Sequence, residues 1–304
     1  MSIFLNSFLP DQSAPGNIRI SNAARLKQKE YQYRLVNEDT VHALLRPRDD
    51  FSHKGTFGHA LLIAGERETM GAALLTSKGC VYSGAGLTTA CIPESGLIAL
   101  NTTIPEVMYL SRDKIANASV LEKYDALAVG PGLGKSKEAG ELLSQLVASG
   151  SPLIADADAL NIFASDSALF HRLAKNSIIT PHMKEFDNLF GAHQNWYERL
   201  QCAVRKSMEM EIVIVLKNRY TFVIDQQGRV NVNTSGHPAM AQGGMGDVLT
   251  GIIAGYVAQG YSMNEAAIIA CYIHGAAGTQ LSWERQNITA SEVAMQLPVI
   301  AKRL

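Results

Sequence analysis

Gly243-Gly244-Met245-Gly246-Asp247-Val248-Leu249-Thr250-Gly251-Ile252 sets three glycines within four residues, then an aspartate, then an apolar run with helical spacing. Glycine leaves backbone N–H groups bare and reaches positive φ without steric cost. Where a helix begins, such N–H groups and the helix dipole form a site for an anion, typically a phosphate. Aspartate is also an ordinary N-cap residue, so a capped helix after a tight turn is the plain alternative. Three clustered glycines exceed what a cap requires, which favours an anion hole with a base beside it.

Working outward, short apolar runs alternate with helical patterns. Strands are expected at 60–64, 87–92, 126–129, 152–155, 177–180 and 212–216, with a hairpin over 220–224 and 229–232 across a 225–228 turn. Helices are expected at 36–45, 71–83, 136–148, 184–190 and 196–210, then at 247–259, 264–281 and 289–303. The 71–83 segment is rich in small residues (Ala72, Ala73, Ser77, Gly79) and suits tight packing against a sheet. Continuous apolar strands separated by helices imply an α/β fold: a mainly parallel central sheet with helices on both faces, in one domain over 36–304. Residues 1–35 lack sustained periodicity and read as an arm or the remnant of a preceding segment. Gly65, the 130–134 loop, Asp156, Pro181-His182 and Lys217 all fall at expected carboxyl ends of strands, where such sheets bind ligands.

Bulk properties narrow the function. The 304 residues are 47% apolar and 18% charged, the balance of a globular chain able to bury a sizeable core. A formal net charge of −1 gives no global attraction to nucleic acid or anionic membrane, so an anionic ligand needs a local site. Cys80, Cys91, Cys202 and Cys271 are far apart, against a zinc site or disulfide framework and in keeping with a reducing cytoplasm. The first residues, MSIFLNSFLPDQ, lack the basic segment and long apolar core expected of a signal peptide, and no apolar run nears the roughly 20 residues of a membrane helix.

Several motifs admit two readings. Gly130-Pro131-Gly132-Leu133-Gly134 lacks dinucleotide-fingerprint spacing and is either a strand-to-helix turn or a ligand contact. Lys217-Asn218-Arg219-Tyr220-Thr221 places two cations, an amide and a hydroxyl after a strand, fit for a phosphate or for an exposed turn. His182 follows a proline at a strand end, with Lys184 and Glu185 next. Asp156 and Asp158 either reach magnesium through water or cap the following turn. His274 lies on an apolar helix and reads as a core histidine. Neither a zinc signature, a Walker lysine loop nor a G-x-S-x-G elbow is present.

Taken in order, HKGTFGHALLIAG, GPGLG, DADALN, TPHMKEF, VIVLKN and AMAQGGMGDVLTGIIAG make the chain resemble the ADP- or ATP-dependent NAD(P)H-hydrate dehydratases, whose fold is ribokinase-like. The resemblance covers about residues 36–304. It implies repair of the 6S hydrates of NADH and NADPH: a nucleotide, ADP in preference to ATP, phosphorylates the added hydroxyl, and loss of phosphate regenerates the dihydronicotinamide. By the same resemblance Asp247 is the base, and the backbone of Gly244, Met245 and Gly246 stabilises the transferring phosphoryl group. Gly246 with Lys217, Asn218, Arg219, Tyr220 and Thr221 matches the nucleotide site. Ala72, Ala73, Gly132, His182 and Asp247 match the hydrate pocket, with the choice between Ala72 and Ala73 open. Magnesium is implied by the chemistry without an assigned protein ligand. A cytoplasmic homotetramer is implied, with neither nucleic acid nor membrane as partner.

The chain departs from the family pattern at His237 and Ala239, where asparagine and glycine are frequent, at Met245, often threonine or serine, and at Asn218, often glycine. The first 35 residues are too few for the epimerase domain that precedes many relatives, so interconversion of the R and S hydrates is not expected of this chain. Two rival readings stand beside the dehydratase. One is a small-molecule kinase of the same fold class, acting on a vitamin precursor or sugar alcohol; the other is a nucleotide-binding regulatory protein without catalysis.

Overall fold

The computed structural model describes residues 33–304, so most of the expected N-terminal arm lies outside the described residues. One ten-stranded sheet runs through the molecule. Its strands are β1 (Tyr33–Val36), β2 (His59–Ile63), β3 (Leu87–Cys91), β4 (Met108–Leu110), β5 (Ala126–Val129), β6 (Ile154–Ala155), β7 (Ile178–Ile179), β8 (Val213–Leu216), β9 (Thr221–Ile224) and β10 (Val230–Asn233). They are ordered β1-β10-β9-β8-β7-β6-β5-β2-β3-β4. Only β9 runs against its neighbours, pairing antiparallel with β8 and β10; the remaining pairings are parallel.

Alternation along the buried strands explains the layering. Leu61, Ile63, Leu127 and Val129 face a core under Lys137–Ala148, Asp158–Ser165 and Trp196–Met210. Ala60, Leu62, Ala126 and Ala128 face the opposite core under Met245–Ala258, Met263–Leu281 and Ala290–Arg303. Both faces are therefore covered, as the continuous apolar runs require.

The small-residue helix Met70–Tyr82 packs chiefly against a helix rather than against the sheet alone. A methyl on Gly79 would run into the Val248 carbonyl, and one on Gly251 into the Thr76 carbonyl. Glycines on both helices thus bring Met70–Tyr82 and Met245–Ala258 together at backbone distance. That contact fixes the start of one helix relative to the other.

The sheet differs from the sequence expectation at both edges. Residues 33–35, assigned to the arm, belong to β1, and the helix expected at 36–45 is the shorter Glu38–His42. Strand β1 is four residues long and exists by pairing with β10, a long-range contact that no local pattern announces. Strand β4, on the other edge, is only three residues.

Candidate active site

Helix Met245–Ala258 begins at the carboxyl edge of the sheet with Gly244 as N-cap in the left-handed conformation, φ 88°. No side chain caps it, so its first N–H groups face outward unsatisfied. Asp247 sits in that first turn, and its carboxylate makes no hydrogen bond to the protein among the described residues. Burial, reinforced by Asp156 and opposed by Lys217, pushes its pKa up to about 6. A carboxylate poised there accepts a proton readily near neutral pH.

Beside Asp247 lies a charged cluster drawn from three strand ends. Lys217, one residue past β8, donates from Nζ to Asp156 Oδ1 at 2.8 Å. Thr250 Oγ1, one helical turn beyond Asp247, donates to the other Asp156 oxygen at 2.8 Å. Asp156 is 1% exposed, and Ala157 after it takes a positive φ of 49°, rare for a side-chain-bearing residue and typical of sites held under strain. Glu185 is also buried, and burial raises its pKa against the pull of Lys217. Burial works against the Lys217 ammonium, yet Asp156, Glu185 and Asp247 hold it above the ordinary lysine range.

A cavity of about 310 Å³ opens from this cluster. Lys217, Asn218, Arg219 and Thr221 line one wall, Met245 and Gly246 the end at the helix start, and the turn around His237 another side. Arg219 is held by the Gly236 carbonyl at 3.2 Å. Tyr220, assigned to the nucleotide with its neighbours, does not line the cavity; its ring packs on the opposite core. The Arg219 guanidinium lies over the Tyr220 ring, 5.0 Å from its centroid. His237, a departure from the family pattern, caps its own turn by accepting from Ala239 N at 3.2 Å.

The remaining positions lie along the same edge. A methyl on Gly132 would sit 2.8 Å from Ala72 Cβ, and Thr69 Oγ1 donates to the Gly132 carbonyl at 2.7 Å. Ala72 is partly exposed there, whereas Ala73 is buried at 1% against Gly65. His182, past β7, bridges to Lys217, and its Nδ1 accepts from Lys184 N and Glu185 N at 3.1 and 3.3 Å. That leaves the imidazole proton on Nε2, 3.4 Å from Glu185 Oε1.

A family model described as NAD(P)H-hydrate dehydratase (Carb_kinase) matches residues 60–298. The chain belongs to that family. It is 34% identical to the ADP-dependent (S)-NAD(P)H-hydrate dehydratase of Staphylococcus aureus, over 88% of this chain and 98% of that one. It is 32% identical to the bifunctional NAD(P)H-hydrate repair enzyme Nnr of Moorella thermoacetica, over 97% of this chain and 59% of that one. The chain thus spans about three-fifths of the bifunctional relative's length. Among solved structures, the ADP/ATP-dependent NAD(P)H-hydrate dehydratase of Bacillus subtilis, co-crystallised with ATP and Mg2+, is 32% identical with a TM-score of 0.79, covering 89% of this chain and 98% of that one. A ribokinase-like superfamily protein of Enterococcus faecalis gives a TM-score of 0.82 at 29% identity, covering 89% and 96%. The fold is ribokinase-like.

Within this NAD(P)H-hydrate dehydratase family member, two carboxylates read from sequence as magnesium candidates are already engaged. Asp156 is paired with Lys217 and Thr250, and Asp158 Oδ2 accepts from Gly134 N at 2.9 Å. Among the described residues no three His, Cys, Asp or Glu side chains form a group suited to a metal. Glu185, Thr250 and Thr69 were not singled out from sequence. Glu185 closes a capping box three residues after His182, and Thr250 follows Asp247 by three on one helix face, so both spacings were available as signals. Thr69 had no local signal. No helix among the described residues is long and apolar enough to cross a membrane.

Proposed function

We propose that this protein dehydrates the 6S hydrates of NADH and NADPH back to the dihydronicotinamides, using ADP in preference to ATP. The observation that carries the reading is Asp247: a carboxylate free of protein hydrogen bonds among the described residues, at an uncapped, glycine-built helix start, beside a fixed lysine, in a chain of this family. The hydrate hydroxyl oxygen attacks the terminal phosphorus of the nucleotide while its proton passes to Asp247. The new O–P bond forms as the bridging P–O bond breaks, and AMP leaves with the bond electrons. Carbon–oxygen cleavage then releases phosphate, and loss of a ring proton restores the double bond. The N–H groups of Gly244, Met245 and Gly246 face the charge that develops on the phosphoryl oxygens.

The cavity beside Lys217 takes the nucleotide, and the edge formed by Ala72, Gly132 and His182 takes the hydrate. Ala73, being buried, supports that edge from behind. Magnesium bound with the nucleotide would supply positive charge to its phosphates, with no residue of this chain assigned to hold it. The catalytic unit is the 36–304 domain with β1 added, and the reading includes a homotetramer in the cytoplasm. Four buried, unpaired cysteines are in keeping with a reducing compartment.

The test is direct. Purified protein with 6S-NADHX, ADP and magnesium regenerates NADH, followed by its absorbance; failure with both ADP and ATP overturns the reading. A phosphorylated product that accumulates without NADH would instead establish the kinase alternative.

A further inference from the structure

Lys217 presents an ammonium where a folded chain ordinarily avoids one. A methyl on Gly246 would lie 3.3 Å from Lys217 Nζ, so the cation stands against the first turn of helix Met245–Ala258. Cations are disfavoured at that end of a helix, because the dipole and the free N–H groups are themselves positive. The lysine stem is flexible enough to turn away into the cavity. It is held instead by Asp156 at 2.8 Å, and Asp156 is held in turn by Thr250. A buried ion pair of this kind is weak support for stability, since apolar side chains fill such space as well or better. The pair makes sense as a device for holding positive charge beside open N–H groups, where an anion completes the arrangement.

We propose that Lys217 is a catalytic residue whose ammonium, fixed by Asp156 and not by the nucleotide, stabilises the negative charge on the oxygens of the phosphoryl group as it passes to the hydrate hydroxyl, with Asp156 as its positioning residue. The proposal rests on the phosphoryl-transfer reading above and gives one member of the nucleotide-binding segment a separate task. Asn218, Arg219 and Thr221 bind the nucleotide as it arrives; Lys217 acts on the charge that moves. A preorganised cation of this kind strengthens its hold as charge shifts to the transferring oxygens and needs no rearrangement.

The groups facing Asp247 are Asp156, Asp158 and Lys217, while Glu185 and the neutral His274 border Lys217. Removing Lys217 takes a stabilising charge from the Asp247 carboxylate; removing the Asp156 charge takes away a repelling one. The experiment measures kcat, KM for ADP and the acid limb of kcat/KM for wild type, Lys217→Met and Asp156→Asn, with 6S-NADHX, ADP and magnesium. Lys217→Met is expected to lower kcat about 100-fold, the scale of losing one oxyanion donor, with a much smaller change in KM. Asp156→Asn is expected to lower kcat about tenfold, because an untethered lysine is misplaced. The acid limb should move to higher pH in Lys217→Met and to lower pH in Asp156→Asn. A pair that served folding alone would leave kcat per folded molecule unchanged, whatever the limb does.

Unchanged kcat in Lys217→Met, or a loss confined to KM, overturns the proposal, as do limbs that stay in place. Should Lys217→Met not fold, Lys217→Ala supplied with methylammonium serves instead: rate rescued by the added cation supports the proposal, and its absence in folded protein overturns it. An inactive wild type would overturn the dehydratase reading itself, which keeps the two failures distinct.

Discussion

Two glycine-bearing turns of this protein look alike in sequence and do opposite work. The 53–58 turn lies at the amino end of β2, and the 243–247 turn lies at the carboxyl edge. At the first, glycine lets backbones touch: a methyl on Gly58 would strike the Ala258 carbonyl, and one on Gly86 the Lys54 carbonyl. His53 spends its Nδ1 on the Gly55 N–H at 3.1 Å, and Phe57 lies under Arg48. At the second, nothing lies within 4 Å of a methyl on Gly243, and one on Gly246 meets only the ends of Lys217 and Asp156. Gly244 between them is the exception, since a methyl there would strike Leu75. The HKGTFG stretch is thus a packing turn, and GGMGD is the turn on which the proposed chemistry rests.

The sharpest way to break that contrast is to remove the chemistry while leaving the packing. Asp247→Asn is expected to lower turnover by at least about two orders of magnitude, the scale of a lost general base. Nucleotide binding, measured by calorimetry, should persist. The pKa of Asp247 is raised in the fold, so its contribution to stability is present below the ordinary aspartate range and lost as pH rises through about 6. Asp247→Asn should accordingly melt no lower than wild type at pH 8. A large drop in melting temperature there would place Asp247 in the packing class.

The converse substitution is Gly86→Ala. Its methyl would meet backbone rather than a movable side-chain end, so the strands or the 53–58 turn must shift. A loss of about 2 kcal/mol in unfolding free energy is expected from overpacking, read from denaturant midpoints. Turnover per folded molecule should hold.

The sequence made the layers legible because its strands are continuous apolar runs such as Ala126–Val129, which only a sheet covered on both faces can use. The short edges β1 and β4 carry no such signal; they are strands through their partners. Of the site, Asp247 and Lys217 stood out because charge directly after glycine or at a strand end is conspicuous. The arrangement within 217–221 is not legible, since which of five consecutive side chains line the cavity and which pack on the core depends on the fold around them. Asp156 reads from sequence either as a magnesium contact through water or as a cap, and its hydrogen-bond partners Lys217 and Thr250, 61 and 94 residues away, are beyond any local pattern.

Acidity separates the two turns without any substitution. Asp247 must be ionised to take a proton, and burial first, then Asp156, raise its pKa to about 6. The kcat/KM profile should fall below that value by about tenfold per pH unit, as one essential base is protonated. His59, at the amino end of the sheet, also has a shifted pKa, lowered by burial, but it is bonded to Thr89 at 2.7 Å far from the site. His59→Gln should leave the acid limb where it is. A limb that moves with His59 would mean that the two ends of the sheet are coupled.

The smallest effect is the most discriminating. Gly246 lies within a helix and its φ is not in the left-handed region, so Gly246→Ala adds a better helix former. The unfolding free energy should rise by about 0.5 kcal/mol, part of the usual alanine-over-glycine gain. The new methyl would nevertheless stand 3.3 Å from Lys217 Nζ and 3.6 Å from Asp156 Oδ2, tight enough to push the ammonium aside by a few tenths of an ångström. Turnover should fall by about fivefold, because small misplacements at a reacting centre are costly. Stability and activity would then move in opposite directions at one position. If both rose together, Gly246 would be an ordinary helix glycine, and the open face of the 243–247 turn would lose its meaning.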